Sequence, residues 1–219
     1  RAILRLHEPT DGKVYFDQKD IRALNDKQMK DMRRDMQIIF QDPFASLNPR
    51  MTVSEAIAAP LLVQKLFDRK DKEGIQKRVR EIMDMVGLAG RLINTYPHEL
   101  DGGRRQRIGI ARALAMEPKV LLLDEPFSAL DYQTRLAVSA DIYRIIRQEG
   151  KTALLVTHDI SEAISLSDRV VVLSHRPAVV KSIHRLTQLQ GVPPLQRRDH
   201  PAFAGYFKSI WKELEVHEG

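Results

Sequence analysis

Four apolar residues, Val120-Leu121-Leu122-Leu123, lead straight into two adjacent carboxylates, Asp124 and Glu125, followed by Pro126. Such a run reads as a buried strand, and in doubly wound sheets ligands sit outside the carboxyl ends of the strands. Asp124 is thereby placed to face a metal held on phosphate, and Glu125 to face a water beside it. A second apolar run ends at Thr157-His158-Asp159, which puts His158 on the same sheet edge, able to hydrogen-bond a phosphate or a water. Gln41 follows another strand-like run, and its amide is suited to both a metal and an attacking water; an exposed loop glutamine is the alternative. Leu100-Asp101-Gly102-Gly103-Arg104 precedes a segment rich in Ile108, Ile110, Ala111, Ala113 and Leu114. Glycines at a helix N-terminus present free amide N–H groups to an anion, with the helix dipole adding to the attraction. A plain glycine turn that starts a helix is the other reading. Asp131, at the end of Ser128-Ala129-Leu130-Asp131, stands where an N-cap would open a helix from Gln133 onward.

The elements that must hold these residues follow from the hydrophobic pattern. Val14 to Phe16 and Met36 to Phe40 are short and β-prone, and the second leads into Gln41. From there to about Lys119 the pattern is helical, beginning with the capping-box spacing Thr52-Val53-Ser54-Glu55 ahead of Ile57, Leu61 and Leu62, with a kink expected at Pro60. Ile75, Val79, Ile82 and Val86 recur at helical spacing and Gly87 follows as a stop. After Pro118 come alternating units: strand 120–123, helix 133–148, strand 153–157, a short helix 161–166 and strand 170–173. That alternation implies parallel strands with helical crossovers. Phe203, Phe207, Ile210, Trp211 and Leu214 form one face of a terminal helix begun by Pro201, and packing against the core is its expected role. The opening residues 1–6 read as the middle of a helix.

With 219 residues and 43% hydrophobic content the chain is an ordinary globular protein of one large domain, or of a core and a subdomain. It contains no Cys, so disulfides and thiol chemistry are excluded, and a reducing intracellular compartment is the natural fit. Its apolar stretches fall far short of the ~18 residues of a membrane span. A net charge of +6 permits an acidic partner, yet the Lys and Arg residues are scattered over helices without interleaved aromatics, so a solvated surface is expected and no nucleic-acid groove.

In order and spacing these motifs closely resemble the nucleotide-binding subunit of ABC transporters, over nearly the whole chain. Gln41 falls on that family's Q-loop, Leu100 to Arg104 on the signature loop, Val120 to Glu125 on the Walker B strand, Ser128 to Asp131 on the D-loop and His158 on the switch histidine. The resemblance implies an α/β fold of the P-loop NTPase type with an inserted all-helical subdomain. Its expected divisions are a partial ATPase core at 1–41, the helical subdomain at 42–119, the remaining core at 120–175 and a helical tail at 176–219. It also implies ATP and Mg²⁺. Asp124 then holds the metal through water, with Gln41 as a second metal contact and sensor of the γ-phosphate; Glu125 polarises the attacking water and His158 contacts the γ-phosphate. Asp101, Gly102, Gly103 and Arg104 act in trans on ATP held by a second subunit, to which Asp131 also speaks. Two such subunits sandwich two ATP molecules and drive attached transmembrane permease subunits, which places the chain at the cytoplasmic face of the cell membrane.

The sequence departs from the family at several points. No G-x-x-x-x-G-K-[ST] motif occurs in it; Gly150-Lys151-Thr152 lacks the first Gly, having Ile145 there, and precedes a strand where the motif would follow one. The opening residues resemble the segment that directly follows the phosphate-binding loop, so the expectation is a chain that starts just past that loop. Weak ATP binding by this polypeptide alone and exposed apolar sheet surface are the corollaries. Asp101 stands where the family usually has Ser, and Arg104 where it has Gln; a carboxylate there repels phosphate unless Arg104 or Arg105 compensates. The stretch from Gln41 to Lys119 resembles oligopeptide and dipeptide importers, whereas that from Val120 to Arg185 is more similar to nitrate, sulfonate and taurine importers. Two alternatives stand beside an importer ATPase: a non-catalytic partner lending its signature loop in trans, and a soluble ABC ATPase acting on ribosomes. The sixty residues from Gln41 to Asp101 leave no room for the long coiled coil of the chromosome and DNA-repair members.

Overall fold

The computed structural model describes residues 2–41 and 47–215. The chain forms two compact units, one of Arg1–Ile39, Pro43–Leu122 and Lys151–Leu154, the other of Phe40–Asp42, Leu123–Gly150 and Leu155–Gly219.

The first unit opens with a hairpin, β1 (Tyr15–Phe16) and β2 (Lys19–Asp20), paired antiparallel. Its two connecting residues, Asp17 and Gln18, both have positive φ, the conformation that lets a two-residue turn follow the twist of its strands. Helix α1 (Asp26–Asp35) begins at a capping box in which Asn25 Oδ1 accepts from the Gln28 N–H (2.9 Å) and the Gln28 side chain accepts from the Asn25 N–H (3.0 Å). It runs directly into β3 (Met36–Ile39). Leu4, Ile21, Met29, Met36 and Leu122 form the core here. The helical part comprises α2 (Val53–Val63), α3 (Lys72–Met85) and α4 (Gly102–Ala115), which pack on one another. The predicted box at Thr52 and Glu55 is present, with the Glu55 carboxylate 2.8 Å from the Thr52 N–H, and α2 continues one turn past Pro60. Val53, Ile57, Val79, Ile82, Met83, Ile108 and Ala111 are wholly buried between these helices. That follows from their recurrence every three to four residues.

Strands β3, β4 (Val120–Asp124) and β5 (Thr152–Val156) are neighbours in that order. Lys119 N–H donates to Asp35 O (2.9 Å) and Thr152 N–H to Lys119 O (3.1 Å), which aligns the strand beginnings; Glu125 N–H donates to Val156 O (2.9 Å), which aligns the ends of β4 and β5. The strands are therefore parallel, and helix α5 (Tyr132–Gln148) makes the crossover. For these strands it is the α/β organisation expected from the alternation of apolar runs, whereas the strand expected at 170–173 lies outside this sheet in a separate antiparallel pair. The β4 and β5 chains pass from the first unit into the second after Leu122 and Leu154.

The second unit adds α6 (Ile160–Leu166), an antiparallel pair β6 (Arg169–Leu173) and β7 (Val180–Arg185), a short α7 (Pro194–Arg197) and α8 (Pro201–Glu215). Ile160, Ile164, Val172, Leu186, Leu189 and Ile210 make its core. Arg197 is fully buried, and neutral oxygens meet its guanidinium: Nε donates to Val192 O (2.9 Å), Nη1 to Ile164 O (3.1 Å) and Ser167 O (2.6 Å), and Nη2 to the Tyr143 hydroxyl (3.3 Å). The guanidinium thereby closes the Ile164 carbonyl in the last turn of α6 and that of its C-cap, Ser167.

Three expectations are corrected. Residues 2–7 form a turn and bends, not a helix, because Arg5 leaves the helical region at φ 48° and the Arg33 guanidinium binds the carbonyls of Leu4 and Arg5. The 176–219 stretch is not helical throughout: Val180–Arg185 pairs with β6 as a strand before the helices begin. On α8, Phe203, Phe207 and Ile210 pack inward, but Trp211 and Leu214 are exposed. Trp211 lies about 100° around the helix from Ile210 and stacks on Phe207 at 6.0 Å. Apolar side chains of the strands are exposed at Leu154, Val156, Val171, Leu173 and Ile183.

Candidate functional site

In the second unit the carboxylate pair emerges as the strand run predicts. Asp124 is the last residue of β4, half-buried, and Glu125 turns the chain out of the strand at φ 46°. For a side chain with a Cβ this left-handed conformation is costly and persists only where neighbours fix it. Here they do: the Glu125 N–H donates to Val156 O, and its carbonyl accepts from Ser128 N–H (3.3 Å) and Ser128 Oγ (3.0 Å). The Glu125 backbone is thereby fixed, and His158 Nδ1 lies 3.3 Å from its carboxylate Oε2. Because β4 and β5 are parallel neighbours, residues 33 positions apart meet at their carboxyl ends. His158 is largely exposed, so its face away from Glu125 is open to a ligand.

Glu125 and His158 line a small open cleft of about 60 Å³, together with Ser128, Arg135, Thr157 and two further acids, Asp159 and Glu162. Asp159 caps α6, its Oδ1 accepting from the Glu162 N–H at 3.0 Å, while its own N–H donates to Thr157 Oγ1 at 3.1 Å. Glu162 is buried, and that burial pushes its carboxyl above the ordinary carboxylate range, against the pull of the Thr157 hydroxyl; the Asp159 charge raises it further, and Arg135 and His158 oppose. Sequence reasoning missed Arg135, Asp159 and Glu162. The Asp159-Ile160-Ser161-Glu162 spacing is a legible cap signal, but nothing local in the sequence marks Arg135.

Asp131 is the N-cap of α5, with Oδ1 accepting from the Thr134 N–H at 3.0 Å, and the hydrogen bonds from Thr134 hold its exposed carboxyl below the ordinary range. Gln41 follows β3 by two residues and is exposed. Residues 42–46, which continue the expected Q-loop, lie outside the described residues. Among the described residues no cluster of three or more His, Asp or Glu is arranged to hold a metal by itself.

The turn expected to be the signature loop belongs to the first unit. Asp101 is the N-cap of α4, with Oδ1 accepting from the Arg104 N–H (2.8 Å) and Oδ2 paired with Arg104 Nη1 (3.2 Å). Aspartate thus keeps the capping function that serine would supply, and Arg104 neutralises its charge locally. Arg105 turns back, its Nε donating to Leu100 O at 2.7 Å. Gly102 and Gly103 open the helix, where amide N–H groups lack helical acceptors.

A parallel sheet with a helical crossover, acids at the end of one strand and a histidine at the end of the next give the chain the architecture of an α/β cassette. Residues 1–128 match the ABC transporter family, and the chain belongs to that family. It is 46% identical over 174 residues to the oligopeptide transport ATP-binding protein OppF of Bacillus subtilis, covering 79% of this chain and 56% of that one. To OppF of Salmonella typhimurium it is 44% identical over 173 residues, covering 79% and 51%. The chain thus spans about half the length of these relatives. Among solved structures, the dimeric post-hydrolysis state of the ATP-binding cassette MJ0796 bound to ADP and Pi superposes with a TM-score of 0.72 at 33% identity, covering 84% of this chain and 78% of that one. CbiO1 from Clostridium perfringens shares the fold, with a TM-score of 0.74 at 24% identity over 96% of this chain and 80% of that one.

Proposed function

We propose that this chain is part of the ATP-hydrolysing subunit of an ABC importer that carries peptides. The observation that carries the reading is the contact of His158 with Glu125 at the ends of adjacent parallel strands, 3.3 Å apart. In this role Glu125 orients and polarises the attacking water, and the exposed side of His158 bonds the γ-phosphate of ATP. The rigid turn at Glu125 matters chemically, because a general base must be aimed before the water arrives. Asp124 contributes a half-buried carboxylate oxygen at the strand end, and Gln41 an amide oxygen; both are hard donors suited to Mg²⁺, which uses one or two protein oxygens and completes its shell with phosphates and water. Bound there, Mg²⁺ would neutralise phosphate charge. The Gly102 and Gly103 amides, with Asp101 neutralised by Arg104, serve ATP held by a second subunit, and Asp131 faces that subunit.

Peptide as the cargo rests on the OppF similarity, which extends over 174 residues and so runs well past Val120. These relatives give the nitrate or sulfonate reading of the second half no support. Permease subunits as partners and a peripheral place on the inner membrane face follow from the same reading; no helix of the described residues is long and apolar enough to cross a membrane.

Glu125→Gln in the intact assembly tests the proposal. Turnover of ATP should fall at least ~100-fold while nucleotide binding persists, since a positioned base contributes about that much. Unchanged turnover would instead identify the chain as a non-catalytic partner of a complete subunit.

A further inference from the structure

The loops carrying Asp131 and His158 leave neighbouring strands, and one side chain that the roles above do not use spans them both. Arg135 stands at the end of the first turn of α5, its N–H bonded to Asp131 O at 2.8 Å. Its Nη2 donates to Leu130 O at 3.2 Å, the carbonyl just before Asp131. Its Nη1 lies 3.6 Å from Asp159 Oδ2, on the residue just after His158. The forked, planar guanidinium reaches both loops at once, which a lysine ammonium at the same place does not. Asp159 in turn is fixed on its other oxygen by the Glu162 N–H and through its own N–H by Thr157. The backbone on both sides of His158 is thereby constrained, whereas the imidazole itself is exposed and held by the contact with Glu125.

Stability does not account for this arrangement. The Arg135 and Asp159 side chains are 29% and 34% exposed, and an ion pair of that kind adds little to folding. Arg135 Nε is moreover buried with no partner among the described residues, a cost that an ordinary surface pair avoids. The guanidinium is kept in a cleft shared with Glu125 and His158, short of its best pairing geometry. The buried Glu162 carboxyl, which feels both Arg135 and His158, belongs to the same electrostatic group.

We propose that Arg135 is a positioning residue. By binding Asp159 while registered on the Leu130 carbonyl, it holds His158 against Glu125 and carries any displacement of the Ser128–Asp131 loop to the histidine. This rests on the reading of Glu125 and His158 as the hydrolytic pair, and it adds a route by which that pair senses the loop expected to face a second subunit.

The test compares Arg135→Gln, Arg135→Lys, Asp159→Asn and the Arg135→Gln/Asp159→Asn double variant with Glu125→Gln in the intact assembly, using Mg²⁺-ATP. The Asp159→Asn change keeps the helix cap and loses only the charge. The expected result is a fall in kcat of about tenfold for Arg135→Gln and for Asp159→Asn, with KM for ATP within about twofold, a double variant no worse than either, and only partial recovery in Arg135→Lys. Hydrogen exchange gives a readout besides turnover: the Asp159 and Glu162 amides should exchange about tenfold faster in Arg135→Gln while those of α8 stay unchanged. Additive losses, full kcat in both single variants beside an inactive Glu125→Gln, or unchanged exchange at Asp159 and Glu162 would overturn it. Full activity of Glu125→Gln would sink the hydrolytic reading instead, and the exchange data would then decide alone whether Arg135 holds the loop. Should Arg135→Gln fail to fold, Asp159→Asn carries the same comparison.

Discussion

The Asp101 turn of the first unit and the loop pair of the second both present polar groups beside a helix start, yet they are built over very different sequence distances. At Asp101 everything is local: the cap bond and the ion pair both link Asp101 to Arg104, three residues on. At Glu125 only the carbonyl is held locally, by Ser128; the contacts that set the pair are remote, with Val156 holding its N–H and His158 its carboxylate. A local motif is specified by the order of its residues and survives as long as its helix does. A remote pair exists only when two strands are held in register, so its geometry is sensitive to the packing of the unit around it.

The largest test of this contrast lies at Arg197. Arg197→Met should leave the carbonyls of Ile164, Ser167 and Val192 without their donor and destabilise the second unit by about 3 kcal/mol in denaturant unfolding of the full chain. If the contrast holds, the Glu125 and His158 loops should then loosen in hydrogen exchange while the α4 cap is unaffected; equal loosening at both would break it. A smaller effect is expected at the Asp101 turn. Asp101→Ala should cost about 1 kcal/mol through the lost cap, and Asp101→Ser only about a few tenths, measured by the same unfolding curves.

The smallest effect concerns pH. Burial raises the Glu162 carboxyl, so the folded state holds that proton more tightly than the unfolded one, and the carboxylate weakens folding as pH rises above its unfolded value. Glu162→Gln should therefore gain in Tm relative to the wild type as pH rises from about 4 toward about 7. The opposite slope is expected for Glu213→Gln. The Ser182 hydroxyl, followed by His184, holds Glu213 below the ordinary carboxylate range, so its contribution is present above the unfolded value and lost as pH falls through the native one. A pH-independent Tm difference in either variant would remove the electrostatic account of that site.

The legibility of the molecule follows the same division. The caps at Thr52 and Asp131, the glycine turn at 102–103, the buried faces of α2, α3 and α4, and the strand–acid run at 120–125 are all readable, because each is a pattern within one turn, one helix or one strand. Helix α1 is not, since only Met29 among its residues is buried and its signal is the Asn25–Gln28 box alone. Strand β7 escapes notice because Val180 and Ile183 stand among Lys, Ser, His and Arg, a weak alternation that becomes a strand only by pairing with β6. The turn at residues 2–7 reads as a helix because the positive φ of Arg5 is invisible in residue type.

From the order of residues alone it follows that two acids end one strand and a histidine ends another, that a glycine turn opens a helix, and that the chain resembles a nucleotide-binding cassette. That Glu125 and His158 meet at 3.3 Å, and that Arg135 stands between their loops, emerges only in the folded chain. The reason is physical: residue type fixes what a side chain is able to donate or accept within its own turn. Contacts across 24 and 33 positions depend on strand order and crossover packing, which no local pattern contains.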